Sequence, residues 1–99
     1  MANFGVTIRE LRRNKSLTQR ELASKIGVDF TYISKLENQQ LEPPSEEVIV
    51  KMAKVFAVDR HWLTLVAGKV PSDFAEVILK HKDVQEFIMK KMKEDKQRG

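Results

Sequence analysis

The sequence predicts an all-α protein, and three observations lead to that prediction. Apolar residues recur at the i, i+3, i+4 interval of a helical face along most of the chain. Residues that commonly cap helices stand just before several of these segments. A glycine at position 27 separates two such segments at the spacing of a tight helix–helix connection.

The clearest pattern lies in residues 19–38, QRELASKIGVDFTYISKLEN, which predict two short helices joined at Gly27. Each helix has an apolar face, formed by Leu22, Ala23 and Ile26 in the first and by Ile33 and Leu36 in the second. Two such faces bury each other, and the small Ala23 lets the helices cross closely. Gly27 can adopt the left-handed conformation that a sharp turn requires. This arrangement places the second helix in the major groove of DNA in many proteins.

Both helices begin at residues that cap. Thr18, followed three residues later by Glu21, has the form of a capping box, in which each side chain bonds the other residue's main chain. Asp29 is placed to cap the second helix through its carboxylate. Phe30 then falls in the first turn of that helix, the part that commonly meets base edges.

At this point the sequence resembles a known family. LTQRELASKIGVDFTYISKLEN is similar to the helix-turn-helix of the Cro/C1-type (XRE) repressors. The upstream TIRELRRNKSLTQ resembles that family's first helix, and PPSEEVIVKMAKVFAVDRHWL resembles its fourth and fifth. The resemblance implies a lambda-repressor-like, five-helix DNA-binding domain over residues 1–68, with the helix-turn-helix motif at 19–38.

The remaining elements follow from the same patterns. Helix 1 is expected over about Val6–Asn14, and a proline-containing loop over Asn38–Pro44 precedes a fourth helix capped by Ser45. The predicted core faces of helices 4 and 5 are Val48, Met52, Val55 and Phe56, then Trp62, Leu63 and Val66. We expect Trp62 to be an anchor in the core, in a short helix capped by Asp59.

Three positions depart from the family's usual glycines. Ser16, Gln39 and Ala57 stand where glycines commonly follow helices 1, 3 and 4. Ala57 at least is therefore expected in a backbone conformation that only glycine adopts cheaply.

The segment after residue 68 is predicted to be a C-terminal helical extension over 69–93, with two helices that break near His81–Asp83, and a frayed tail over 94–99. Its apolar stripe consists of Phe74, Val77, Ile78, Val84, Phe87, Ile88 and Met92. The stripe must be covered, either by helices 1 and 5 of the same chain or by a second copy in a homodimer. We favour the homodimer, with the first six of these residues at its interface.

Composition excludes several classes of protein. Ninety-nine residues without cysteine suit one domain with no disulfide or thiolate metal site, and suit a reducing, cytoplasmic compartment. No segment reaches the ~20 apolar residues of a membrane span. The two histidines have no paired carboxylates or nucleophile at a telling spacing, so neither an enzyme, a metal site nor a cofactor is expected.

Charge favours a polyanionic partner. The formal net charge is +4, and the basic excess lies in residues 1–40, where seven Lys and Arg side chains face four acidic ones. Residues 41–68 carry three basic and four acidic side chains. The positive part of the chain coincides with the helix-turn-helix, which favours contact with the phosphates of double-stranded DNA.

The resemblance also implies roles for individual residues. Base reading falls on Phe30, Thr31, Ser34 and Lys35, and backbone or flanking contact on Tyr32 and Asn38. The free N–H groups at the start of helix 2 suit a phosphate, so Gln19 and Arg20 are also expected at the DNA backbone. An arginine at the place of Arg12 pairs in this family with the glutamate that corresponds to Glu37. Lys35 can donate to guanine O6 and N7, whereas Phe30 can only touch a thymine methyl or hold its own helix in place.

The predicted function is that of a sequence-specific transcriptional regulator, a homodimeric repressor on a palindromic operator. The alternative is a protein-interaction module, such as an antitoxin or an anti-activator, that grips a protein partner with its C-terminal helices.

Overall fold

Seven helices and no strand make up residues 3–98, the part of the chain that this computed structural model describes. Residues 1, 2 and 99, which belong to the predicted domain and tail, lie outside the described residues. The helices are α1 (Phe4–Asn14), α2 (Gln19–Ile26), α3 (Phe30–Glu37), α4 (Glu46–Phe56), α5 (Arg60–Val66), α6 (Phe74–Lys80) and α7 (Lys82–Arg98). The all-α fold with five helices and a two-helix extension is confirmed.

The core lies entirely within the first five helices. α3 packs against both α1 and α2, while α4 packs against α2 and α5. The buried apolar side chains are Phe4, Ile8, Leu22, Ala23, Ile26, Ile33, Leu36, Ile49, Met52, Ala53, Phe56 and Leu63. The apolar faces of α2 and α3 on either side of the turn do bury each other.

α1 begins two residues before its predicted start because Asn3 caps it. The Asn3 side chain accepts from the main-chain N–H of Gly5 at 2.9 Å. Gly5 lies where α1 crosses the end of α3, and a Cβ there would overlap the carbonyl oxygen of Leu36. Only glycine permits this close approach of the two backbones.

The turn between α2 and α3 has the predicted backbone. Gly27 is left-handed, with φ 74° and ψ 36°, and both hydrogen bonds of the Thr18–Glu21 capping box are present. The capping chemistry predicted for Asp29 is wrong, because its carboxylate bonds no main-chain N–H. The Tyr32 N–H donates instead to the main-chain carbonyl of Asp29, at 3.1 Å, which leaves that carboxylate in solvent.

The predicted core faces of α4 and α5 are wrong in part. Ile49 and Ala53 join Met52 and Phe56 in the core, whereas the predicted Val48 and Val55 lie at its margin. Trp62 is 45% exposed, because Leu63 and Thr64 take the buried positions of α5. A shift of one residue along a helix rotates its buried face by about 100°. Because apolar residues occupy neighbouring positions in α4 and α5, the sequence pattern does not show which of them face the core.

α6 and α7 form a hairpin that packs mainly on itself. No residue of α6 is buried. The segment that leads into α6 is tied to the domain, because the Ser72 N–H donates to the Glu46 carboxylate at 2.8 Å and Lys69 Nζ donates to the Pro44 carbonyl at 2.7 Å.

A further joint between the extension and the domain lies at Asp73, which accepts from Arg60 at 2.9 Å and bonds the His61 ring. The His61 and Phe74 rings meet there, 5.5 Å apart. The Cα radius of gyration is 16.2 Å, above the roughly 13 Å of a globular chain of this length.

The last turns of α7 differ from the predicted tail. The helix continues past residue 93 to Arg98. Lys, Glu and Gln are strong helix formers, and Lys91 pairs with Glu94 at 3.2 Å. These local preferences favour the helix over residues 94–98, which include no apolar residue.

A buried carboxylate ties the first three helices together. Glu37, at the end of α3, is fully buried and accepts from Arg12 Nε at 2.7 Å and from Arg12 Nη2 at 2.9 Å. Gln19 donates to the same carboxylate at 3.1 Å, and Arg9 donates at 3.4 Å. One acidic group thus receives donors from α1 and from the start of α2.

Replacement of Ala57 by glycine should stabilise the protein. Ala57, Ser16 and Gln39 all have positive φ, and Ala57 has φ 57° as the C-cap of α4. An L residue pays about 1 kcal/mol for this conformation, so we expect Ala57→Gly to raise Tm by about 4 to 8 °C in a thermal melt. Ala67→Gly is the matched control, because Ala67 caps α5 with an ordinary φ of −72°. The control should leave Tm unchanged or lower; an equal rise in both variants would contradict this account.

Loss of the Glu37 charge should destabilise the domain. Glu37→Gln leaves Arg12 buried without its counter-charge, and breaking a buried pair in this way costs about 3 to 5 kcal/mol. The free energy of unfolding by urea at neutral pH measures the loss. Glu10→Gln removes an exposed carboxylate from α1 and should change stability by no more than about 0.5 kcal/mol.

The difference in unfolding free energy between wild type and Glu37→Gln should depend on pH. Burial by itself raises the pKa of Glu37, but the hydrogen bonds from Arg12, Gln19 and Arg9 outweigh it and hold the pKa below the ordinary 4.5. The stabilisation is therefore complete above pH 4.5 and is lost as pH falls through the lower folded pKa. The stability gap between wild type and Glu37→Gln should narrow below that pH, and a gap that stayed constant would contradict the assignment.

Candidate nucleic-acid interface

One side of α3 faces solvent. Thr31 and Lys35 are exposed and Ser34 is half-buried, whereas Ile33 and Leu36 are buried on the other side. The polar side therefore presents the hydroxyl groups of Thr31 and Ser34 and the ammonium group of Lys35. These groups can donate to acceptors on base edges, and the hydroxyls can also accept.

The first turn of α2 presents main-chain donors next to this side. The Thr18 hydroxyl accepts from the Glu21 N–H. The main-chain N–H groups of Gln19 and Arg20 have no hydrogen-bond partner in residues 3–98. Unpaired N–H groups and the helix dipole make such a turn suitable for a phosphate. The Gln19 side chain is not aimed there, because its amide donates to Glu37.

Arg20 and Phe30 meet across the turn. The Arg20 guanidinium carbon lies 4.2 Å from the centroid of the Phe30 ring, at the start of α3. A cation over an aromatic face is attracted by the ring. Phe30 is half-buried, so its contact with Arg20 helps to hold the first turn of α3 against α2.

The residues expected at the DNA backbone differ in their surroundings. Tyr32 is half-buried against the core, and its burial raises the pKa of the hydroxyl. Asn38 is exposed at the end of α3, where its side-chain oxygen accepts from Arg9 Nη2 at 3.0 Å. Arg12 is not among these backbone residues, because it is paired with Glu37. The hydrogen bond between the two raises the pKa of the Arg12 guanidinium.

Sequence reasoning missed the position of Arg9, whose guanidinium bonds both Glu37 and Asn38. It lies one helical turn before Arg12, and that i, i+3 spacing was the available signal that both face Glu37. The Arg20–Phe30 contact was also missed, because its two residues belong to different helices.

Neither a metal site nor a membrane-spanning helix is found in residues 3–98. No group of three or more His, Asp or Glu side chains is arranged to hold a metal ion. No helix among these residues is long and apolar enough to span a bilayer.

Comparison with known families gives one clear match. A family model described as helix-turn-helix matches residues 8–63, which run from α1 into α5 and include the turn at Gly27.

Three relatives carry names that agree with the match. RghRB of Bacillus subtilis (strain 168), an uncharacterised HTH-type transcriptional regulator, is 35% identical over 90 residues, which are 88% of this chain and 65% of that protein. The HTH-type transcriptional repressor RghR of the same strain is 33% identical over 70 residues, 71% of this chain and 52% of that protein. A propionyl-CoA carboxylase regulator of Cereibacter sphaeroides is 33% identical over 75 residues, 75% of this chain and 16% of that protein. This chain spans less than two thirds of each of these relatives.

A solved structure has the same fold along the chain. A chain in the SinR protein/SinI protein complex aligns with a TM-score of 0.58 and 24% identity, over 95% of this chain and 98% of that chain. The alignment includes the hairpin as well as the first five helices. The fold, the match over residues 8–63 and the named relatives agree, and the chain belongs to the Cro/C1-type (XRE) helix-turn-helix family of DNA-binding transcriptional regulators.

Proposed function

We propose that this protein is a homodimeric repressor that binds a palindromic operator with α3 in the major groove. The observation that carries the proposal is the free polar side of α3, held on a rigid domain by Ile33, Leu36 and the buried Glu37. Rigid presentation of a few donors is what base reading requires.

Four side chains at this surface are proposed to read bases. Lys35 donates to guanine O6 and N7, and Thr31 and Ser34 bond base edges or touch a thymine methyl. Phe30 supplies apolar contact at the start of the helix, steadied by Arg20.

The DNA backbone is proposed to lie along the start of α2 and the end of α3. The free N–H groups of Gln19 and Arg20 donate to the oxygens of one phosphate, and the side chains of Arg20, Tyr32 and Asn38 contact neighbouring phosphates. The Gln19 side chain takes part only if it exchanges its bond to Glu37 for a phosphate oxygen. These contacts position the helix and carry no sequence information of their own.

The hairpin is proposed as the dimer interface, which divides the chain into a DNA-binding domain (1–68) and a dimerisation extension (69–93). Val77 is 49% exposed and Phe87 is 61% exposed, while Phe74, Ile78, Val84 and Ile88 are only half-buried. An apolar face of this kind is typical of a surface that another chain covers. Two symmetric copies on half-sites about one helical turn apart would double the bases read.

Repression is proposed because one relative, RghR, is named a repressor. A second candidate function is favoured by the SinR protein/SinI protein complex, in which a chain of this fold is bound to a different protein. A protein partner on the hairpin, as in an antitoxin or an anti-activator, would cover the same face. The two functions compete for one surface and are distinguished by the oligomeric state of the purified chain.

Selection from random duplex DNA tests the base-reading residues. We expect Lys35→Ala to relax preference at one position of each half-site, by about 1 to 3 kcal/mol, because one specific contact is lost. Thr31→Ala should relax a different position. Lys51→Ala removes the same charge from an exposed site on α4 and should keep the wild-type preference. A wild-type preference retained in Lys35→Ala would exclude this docking.

The dimer is tested by light scattering of purified variants. Phe87→Glu places a charge in the apolar face of α7, so we expect this variant to be a monomer. Its Tm should stay close to that of the wild-type protein, because the core lies in the first five helices. Lys93→Glu introduces the same side chain at an exposed polar position of α7 and should leave the dimer intact. A dimer that persists in Phe87→Glu, or a wild-type chain that is monomeric at high concentration, would refute the hairpin interface.

A further inference from the structure

We propose that Arg9 of α1 forms a seat for one backbone phosphate of the operator, at the place where α1, the start of α2 and the end of α3 meet. The inference rests on the proposed DNA-binding function and adds a contact from α1, which lies outside the helix-turn-helix. The ligand is a phosphodiester of double-stranded DNA.

The first argument is the charge of the cluster. Two guanidinium groups, those of Arg9 and Arg12, share the single carboxylate of Glu37. Arg12 occupies both carboxylate oxygens, at 2.7 and 2.9 Å, and is buried, whereas Arg9 reaches Oε1 only at 3.4 Å. One positive charge is left over, and it lies on the arginine that is closer to solvent.

The second argument is the position of that charge. The Arg9 Nη2 donates to the main-chain carbonyl of Glu37 at 3.3 Å and to Asn38 Oδ1 at 3.0 Å, so the guanidinium lies over the last residues of α3. Gln19 and Arg9 both donate to Oε1 of Glu37, which brings Arg9 beside the first turn of α2. Arg9 therefore lies between the two places at which the DNA backbone is proposed to run.

The third argument is the set of donors that remains. A guanidinium has five N–H donors in one plane, and Arg9 uses Nε and Nη2 on the protein. Its Nη1 makes no hydrogen bond within residues 3–98, and the side chain is 33% exposed. The bonds to Glu37 and Asn38 hold the plane in place, so little side-chain freedom is lost when Nη1 meets a phosphate oxygen.

A purely structural role predicts different behaviour. Arg12 already neutralises Glu37, so an Arg9 that only supported the fold would affect Tm without affecting the number of counterions released from DNA. A phosphate contact does affect that number, because each neutralised phosphate contributes about 0.9 to the slope of log K against log salt. The salt dependence of binding therefore separates the two roles.

The test is a salt titration of duplex affinity, with the selected operator and with an unrelated duplex of equal length. We expect Arg9→Gln to lower the slope by about one for each protomer bound, and to weaken both duplexes by a similar factor. Arg9→Lys keeps the charge without the planar fork, so it should bind more weakly than wild type with most of the slope retained. Tm of each variant is measured alongside.

Lys54→Gln is the matched control. Lys54 is an exposed cation in the last turn of α4, a helix that contributes no residue to the proposed DNA contacts. It removes one charge from the domain but none from the proposed interface, and its slope should equal that of wild type.

Three outcomes would overturn the assignment, and they can be told apart. An Arg9→Gln variant that binds with the wild-type slope would remove the phosphate seat and leave the DNA-binding function standing. A wild-type chain with no salt-dependent affinity for any duplex would remove both. An equal loss of slope in Lys54→Gln would also refute the seat, because the effect would then be one of net charge.

Discussion

The orientation of α3 depends on one buried carboxylate. A charge without solvent must be paired and hydrogen-bonded, and Glu37 meets that demand by drawing Arg12 from α1 and Gln19 from the start of α2. Because the donors come from different helices, the carboxylate fixes how α1 and α2 meet the end of α3. The apolar faces supply most of the burial, whereas this polar cluster supplies the relative placement of the three helices.

The backbone around α3 is shaped by the close approach of α1 and by residues in the left-handed conformation. Gly5 lets α1 touch the carbonyl groups at the end of α3, and Gly27 turns the chain from α2 into α3. The chain turns after α1, α3 and α4 through left-handed residues that are not glycine. The domain therefore keeps its geometry at those places at some cost in stability, which the packed core offsets.

The hairpin has a different relation to the rest of the chain. It meets the domain where Asp73 bonds Arg60 and His61 and where the Phe74 ring meets His61, and the segment that leads into it bonds the domain through Lys69 and Ser72. The exposed side of α3 and the apolar face of α7 are therefore built independently. A change at the apolar face of α7 can therefore leave the geometry of α3 undisturbed. Arg9 extends the DNA-facing surface beyond the helix-turn-helix, onto a helix whose main task is packing.

The sequence by itself determined the local features: the helices, the capping box at Thr18, the turn at Gly27 and the break near residue 81, because each depends on residues a few positions apart. Only the tertiary structure decided which apolar residues of α4 and α5 face the core, since adjacent candidates such as Leu63 and Trp62 satisfy the same spacing. The tertiary structure alone also decided that Gln19 and Arg9 converge on Glu37. It decided, too, that the main-chain carbonyl of Asp29, and not its carboxylate, bonds the first turn of α3. Contacts of that kind join residues far apart in the chain, and their geometry is set by how the helices pack.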